Sequence, residues 1–308
     1  MLYYHQPCFF LLRLHYTMNI RQTMLHLSGG LLLLLAPACT SEVDLEGGQP
    51  LEVTAEIVSS LSTRAVDATN YDKSSFSTDD EIQINGGSQT VTYRKDATNG
   101  WIPKTAGSSL TVSGSSTASS FSASYPAAFT FILQDQKSYE NFWQSNKLEA
   151  KGGSNVTLSS NKVNFTFMPV AAKITISINY ASSGGATTKY KNVTATLAGN
   201  GIRTGASSSE TIEMLHTGDN TVASDKHTFV CILRPGANMS FKLSVSRTLD
   251  GASSPEATQQ TFTQPAYTFG ASKNYVYNFT SSDELILTSV EVMGFKETTV
   301  PDNPVSAT

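Results

Sequence analysis

The side chains able to do chemistry are few. His5, His15 and His26 all precede residue 39, which leaves His216 and His227 as the histidines of a processed chain. Their spacing fits neither a zinc-ligand pair nor the base of a nucleophile motif. Asp79, Asp80 and Glu81 form an acidic cluster that could be weighed as a calcium site. Acidic residues in turns usually cap backbone or face water, however, and that is the preferred reading. Ser108-Ser109 and Ser207-Ser208-Ser209 are loop serines with no neighbouring base. Cys231 sits in the apolar run Thr228-Phe229-Val230-Cys231-Ile232-Leu233, where a cysteine serves as a small buried hydrophobe rather than a nucleophile. No catalytic residue, metal ligand or cofactor is assigned, and the expectation is a protein that is not an enzyme.

The sharpest local signal lies at the N-terminus. Arg21 is followed by an apolar run over residues 31–35 and then by Ala36, Pro37, Ala38 and Cys39. A basic region, a short apolar core and small residues before a cleavage point describe a secretory signal, and the run is too short to span a bilayer. Residues 1–38 are read as a signal peptide with an over-extended start, Met18 or Met24 being the true first residue. The segment resembles a bacterial lipoprotein signal, although Ala36 stands where leucine is usual. That resemblance implies acylation of Cys39, so that palmitate-type chains hold the protein in outer-membrane lipid, each buried methylene contributing about 0.8 kcal/mol. Residues 39–50 form an acidic tether, Thr40-Ser41-Glu42-Val43-Asp44-Leu45-Glu46 at its core. Such a tether resembles the signal for transfer to the outer face, so a surface-exposed lipoprotein of the cell outer membrane is expected.

Past the tether, the chain must build a fold by core burial. Of its 308 residues 39% are hydrophobic and 15% charged, enough for substantial cores and about two domains. Cys231 is the cysteine left to the fold, so no disulfide supports it. Net charge is -4 and the basic residues are scattered, which argues against a nucleic-acid partner. Segments rich in Val, Ile, Thr, Phe and Tyr alternate with Gly, Ser, Asn and Pro clusters, the pattern of short strands joined by turns. Leu51-Glu52-Val53-Thr54-Ala55-Glu56-Ile57-Val58 alternates with period two. Further strands are predicted over 81–84, 90–94, 119–125, 163–167, 173–180, 193–197, 228–233, 240–247, 275–279 and 285–292, and one short helix or 3₁₀ turn around 138–143. Half-buried strands at this spacing need a second sheet over their apolar faces, so the predicted fold is all-β, two antiparallel β-sandwich domains in tandem. Ser182-Ser183-Gly184-Gly185 marks the boundary, giving domains over 51–182 and 183–308.

Several segments, in order, resemble the fimbrillin family, subunits of type V pili and related surface lipoproteins of Gram-negative anaerobes. Thr63-Arg64-Ala65 after a first strand is one. Others are Asp79-Asp80-Glu81-Ile82-Gln83-Ile84, with Asp79 where glycine is common, and Trp101 followed by Phe121-Ser122-Ala123-Ser124-Tyr125-Pro126. Val163-Asn164-Phe165-Thr166-Phe167-Met168-Pro169-Val170-Ala171-Ala172-Lys173-Ile174 and Phe269-Gly270-Ala271-Ser272-Lys273-Asn274-Tyr275-Val276-Tyr277 complete the series.

The resemblance implies transthyretin-like sandwiches and a polymer mechanism. An arginine-specific protease would cut between Arg64 and Ala65, releasing 39–64 with the lipid and the strand carrying Leu51, Val53, Ala55 and Ile57. A strand from another fimbrial subunit, in a homo- or hetero-polymer, would then fill the vacancy by β-augmentation. The C-terminal segment is the expected donor, with Ile286, Thr288, Val290 and Val292 on one side at period two. Such head-to-tail contacts build filaments that contribute to adhesion to a host glycan or protein receptor. The bland alternatives are an inconsequential loop arginine at 64 and a last strand that simply ends its own domain. A separate alternative is a non-polymerising surface lipoprotein binding glycans or host ligands, with Trp101, Trp143, Tyr125 and Tyr139 as an aromatic platform.

Overall fold

Period-two burial organises the first half of the chain. The computed structural model describes residues 48–58, 73–180, 182–183 and 186–295. In the leading strand Glu52–Ile57, Val53 and Ile57 are buried while Glu52 and Glu56 face water. That strand lies between Gly100–Pro103 and Lys162–Pro169. From it the sheet runs through Gly100–Pro103, Gln89–Asp96, Glu81–Gly86, Phe121–Tyr125, Leu148–Lys151 and Lys162–Pro169, and so returns to its first strand. Val156–Ser159 adds to Lys162–Pro169 outside this ring. The expected N-terminal sandwich is therefore corrected to a closed, barrel-like sheet: the apolar face is covered by curling the sheet on itself, not by a second layer. The antiparallel expectation is corrected too, because Glu52–Ile57 runs parallel to Lys162–Phe167. Ile82, Ile84, Tyr93, Phe165 and Phe167 fill the interior. Phe76, from the loop before Glu81–Gly86, enters the same core with its ring edge-to-face on Trp101, Tyr125 and Phe167, centroids 5.2, 5.3 and 5.2 Å away.

The second half has two sheets around one core. Leu215–His216, Lys226–Leu233, Ala172–Tyr180, Lys273–Ser281 and Leu285–Gly294 form a five-stranded sheet in that order. Ser209–Glu213, Tyr190–Asn200, Gly236–Leu249 and Gln260–Phe269 form a four-stranded one. Side chains of both meet in the same cluster, with Phe241 against Tyr277 and Phe262 against Phe279 at 5.7 and 5.1 Å.

Ala172–Tyr180 is the middle strand of the five-stranded sheet, parallel to Lys273–Ser281 and antiparallel to Lys226–Leu233. The expected boundary at 182/183 is corrected by this pairing: the chain passes from the ring to the second half between Pro169 and Ala172. Ala172–Tyr180 and Lys226–Leu233 are buried on both faces over most of their length, the pattern of a covered sheet. Part of the cover comes from the first half. Ile132 and Phe142 belong to the second half's core cluster, and Gln136 inserts as a pseudo-strand residue, its Nε2 donating to the Ile232 carbonyl at 2.9 Å and its Oε1 accepting from Ile232 N at 2.8 Å. Phe142 lies on the helix Tyr139–Ser145, capped by Ser138, whose hydroxyl accepts from Asn141 N. Both halves accordingly fall in one compact unit.

Replacing Phe76 by alanine should cost about 3 kcal/mol or more in urea-unfolding free energy, because three rings lose their common partner. Val222→Ala, at a side chain 60% exposed, should stay within about 0.5 kcal/mol.

Candidate functional site

The leading strand is held unequally by its two neighbours. Six consecutive residue pairs join it to the edge of Lys162–Phe167, whereas Val53 opposite Trp101 is its sole pair with Gly100–Pro103. Outside the ring, register partners pair their side chains: the Thr54 hydroxyl donates to Asn164 Oδ1 at 2.9 Å, and the Thr166 hydroxyl to Glu56 Oε1 at 3.1 Å. Inside, Leu51, Val53 and Ile57 enter the barrel core, with half-buried Ala55 packed against it. The ends are pinned by backbone: Leu51 N donates to Leu110 O at 2.8 Å and Val58 N to Phe167 O at 3.0 Å. Upstream, Gln49–Pro50 pairs with Thr111–Val112. Gly48 lies so near this pair that a Cβ would sit 2.7 Å from the Val112 carbonyl oxygen.

A second anchor follows further along the chain. Asp80 binds Lys73 Nζ at 3.0 Å, accepts from Ser77 N at 2.6 Å and from the Tyr125 hydroxyl at 3.2 Å, and this loop carries the Phe76 plug. Burial and the neighbouring Asp80 push the Tyr125 hydroxyl pKa well up, so it stays a donor. Asp79 has φ 68, the left-handed region where glycine is easier than any other residue. Cys39, Arg64 and Ala65 lie outside the described residues; in sequence, Arg64 falls between the two anchors. Phe76 had no advance signal, being a lone aromatic in the polar stretch Lys73-Ser74-Ser75-Phe76-Ser77-Thr78.

The last strand, Leu285–Gly294, is an edge strand on Lys273–Ser281. Asn278 pairs with Ser289 and Phe279 with Leu287, so Thr288 is the extra residue of a β-bulge. The bulge reverses the alternation: Leu285 and Leu287 lean on the core before it, and Val290 and Val292 after it. Ile286 is 55% exposed and Thr288 is exposed, its hydroxyl donating to Asn278 O at 2.8 Å. In its own sheet, then, the expected common face of Ile286, Thr288, Val290 and Val292 is corrected, because one inserted residue breaks the period.

Solved structures match this architecture. A candidate cell adhesion protein of Bacteroides ovatus superposes with a TM-score of 0.56 at 16% identity, covering 83% of this chain and 99% of that one. The chain shares that protein's fold. A candidate cell adhesion protein of Bacteroides uniformis matches at 18% identity, TM-score 0.49, over 81% of this chain and all of its own. A fimbrial protein of Bacteroides vulgatus matches at 13% identity, TM-score 0.40, over 80% and 99%. No family model and no curated relative matches the sequence.

The remaining candidate residues are engaged in structure. Asp79 sits 3.4 Å from Arg94, and Glu81 2.8 Å from Lys104, so the acidic cluster is divided among three cations. Cys231 is fully buried, and burial alone pushes its thiol far up. Trp101 and Tyr125 are core residues. Tyr139 is 42% exposed, and its ring lies 6.3 Å from that of Trp143, so the four aromatics share no platform. His227 is buried. Its Nε2–H donates to the Tyr190 carbonyl at 3.1 Å, so its Nδ1 accepts from His216 Nε2 at 2.9 Å. Burial, reinforced by His216, lowers the His227 pKa; the Ser224 and Tyr190 carbonyls and Asp225 oppose that shift without reversing it.

A histidine with a folded pKa below its unfolded value of about 6.5 stabilises fully above 6.5, and that share is lost as pH falls towards the folded value. Thermal melts of the wild type should therefore drop between pH 7.5 and 5.5 by more than those of His227→Gln, which removes this group's titration. Parallel curves for the two would count against a buried neutral His227.

Proposed function

We propose that this protein is a structural subunit or accessory component of a cell-surface fimbria, exported as a lipoprotein and assembled by strand exchange, and that it acts by binding rather than by catalysis. The observation that carries the reading is the leading strand. It completes a ring of strands, yet one neighbour and three apolar side chains supply most of its attachment. Burial of Leu51, Val53 and Ile57 is worth roughly 6 kcal/mol. While the chain is continuous, the high effective concentration of a tethered strand keeps the ring shut. A cut after Arg64 would sever the strand from the body while the Phe76 plug and the Lys73–Asp80 pair stay behind. The vacancy would expose the Lys162–Phe167 edge and an apolar groove, which a strand from another subunit satisfies better than water does.

The donor in this reading is the last strand of a second subunit. As an edge strand it leaves its sheet by giving up one neighbour. Straightened, without the bulge at Thr288, it presents Ile286, Thr288, Val290 and Val292 on one face, the alternation a groove vacated by Leu51, Val53, Ala55 and Ile57 requires. The fold shared with a Bacteroides candidate cell adhesion protein, the fimbrillin-like order of motifs and the lipoprotein-like leader support the same surface role. Partners follow from it: outer-membrane lipid through Cys39, an arginine-specific protease, other fimbrial subunits and a host receptor.

Limited digestion of the purified protein with an arginine-specific protease tests the reading. A new N-terminus at Ala65 together with SDS-resistant ladders is expected. A protein that is cut there and stays monomeric, or that stays uncut and monomeric, overturns assembly by this route.

A further inference from the structure

At the junction of the two halves, the segment 129–132, the crossover at 170–171 and the turns around 203 and 234 enclose a cavity of about 420 Å³, the size of a small-ligand site. Its walls include Phe129 and Phe131, the latter 46% exposed. Two arginines stand in it, each fixed through its Nε to a main-chain carbonyl. Arg203 donates to Ile132 O at 3.0 Å and lies over the Phe131 ring at 5.9 Å, while Arg234 donates to Gly201 O at 3.3 Å. Gly205, at φ 87, allows the turn to approach Arg234, where a Cβ would come within 3.1 Å of the guanidinium carbon.

Neither guanidinium forms a contact ion pair among the described residues. Lys147, a third cation of the lining, is already bound to Glu149 at 2.6 Å. Glu210 accepts from Arg203 N at 2.8 Å, from Thr204 N at 3.1 Å and from the Thr204 hydroxyl. These hydrogen bonds occupy its carboxylate, which lies near enough to feel the Arg203 charge without pairing with it. Two pre-oriented guanidinium forks beside an apolar wall suit a planar carboxylate carried on a body with one apolar face. Exposed Thr130 and Thr204 also line the mostly apolar cavity, and their hydroxyls can hydrogen-bond those of a ring seated there.

We propose that this cavity binds an acidic saccharide, a uronic- or sialic-acid residue, whose carboxylate is taken by the terminal nitrogens of Arg203 and Arg234 and whose C–H face lies on Phe129 and Phe131. The site goes beyond the fimbrial reading and is independent of strand exchange, since the cavity belongs to the uncut chain.

The test is calorimetric or NMR titration of the uncut monomer with sialyllactose and with trigalacturonate, using lactose and inorganic sulfate as controls. At least one acidic probe should bind with Kd near 1 mM or tighter and lactose should not. Arg203→Gln and Arg234→Gln should each weaken binding roughly tenfold, the loss of one charged hydrogen-bonded contact, while keeping the circular dichroism of the folded wild type. Phe131→Ala should weaken the sugar acid but leave any sulfate signal as it was. The proposal is overturned by silence from both acidic probes, by lactose binding as well as the acids, by an arginine double variant that binds normally, or by sulfate matching the acids with Phe131→Ala having no effect on either.

Discussion

The parallel ladder between Glu52–Ile57 and Lys162–Phe167 is the contact on which the first half depends. A sheet with one apolar face must cover that face, and here it does so by curling until its first strand meets its last. Without the ladder the ring becomes an open sheet with two free edges and Phe165 and Phe167 short of neighbours. The opposite contact, Val53 to Trp101, is one pair long, so closure and weakness reside in the same strand. The side-chain pairs Thr54–Asn164 and Glu56–Thr166 fix its register, since a one-residue slip would turn Glu52 and Glu56 into the core.

The second half is insulated from that strand. Its core is built from the five- and four-stranded sheets and is roofed by Ile132 and Phe142, whereas the leading strand contributes to the ring's own cluster. Opening the ring would thus leave the larger core intact, a condition any subunit that surrenders a strand must meet. The segment joining the two cores also lines the arginine-bearing cavity.

Local features were legible in the sequence where local physics decides them. Alternation marked Leu51, Val53 and Ile57 as inward, the one short helical element expected around 138–143 is the helix Tyr139–Ser145, and the apolar run around Cys231 announced a buried strand. The ring closure was not legible, because Glu52 and Lys162 meet across more than a hundred intervening residues and period two says only that a face is covered, not by what. The domain boundary was misplaced because Ala172–Tyr180 reads equally well in either half until its partners, Lys226–Leu233 and Lys273–Ser281, are known. The bulge at Thr288 adds one residue without altering composition. The cavity gathers residues from five separated segments, none of which stands out alone.

The central claim is that the leading strand is a separable closing element. Its most direct measurement replaces residues 61–68 with a site for an unrelated protease and follows uptake of a fluorescent peptide spanning residues 48–58 before and after cutting. The account predicts no uptake by the intact chain, and stoichiometric uptake by a cut chain that keeps the circular dichroism of its second half. A cut chain that unfolds as a whole, or that never exchanges its strand for the peptide, would contradict it.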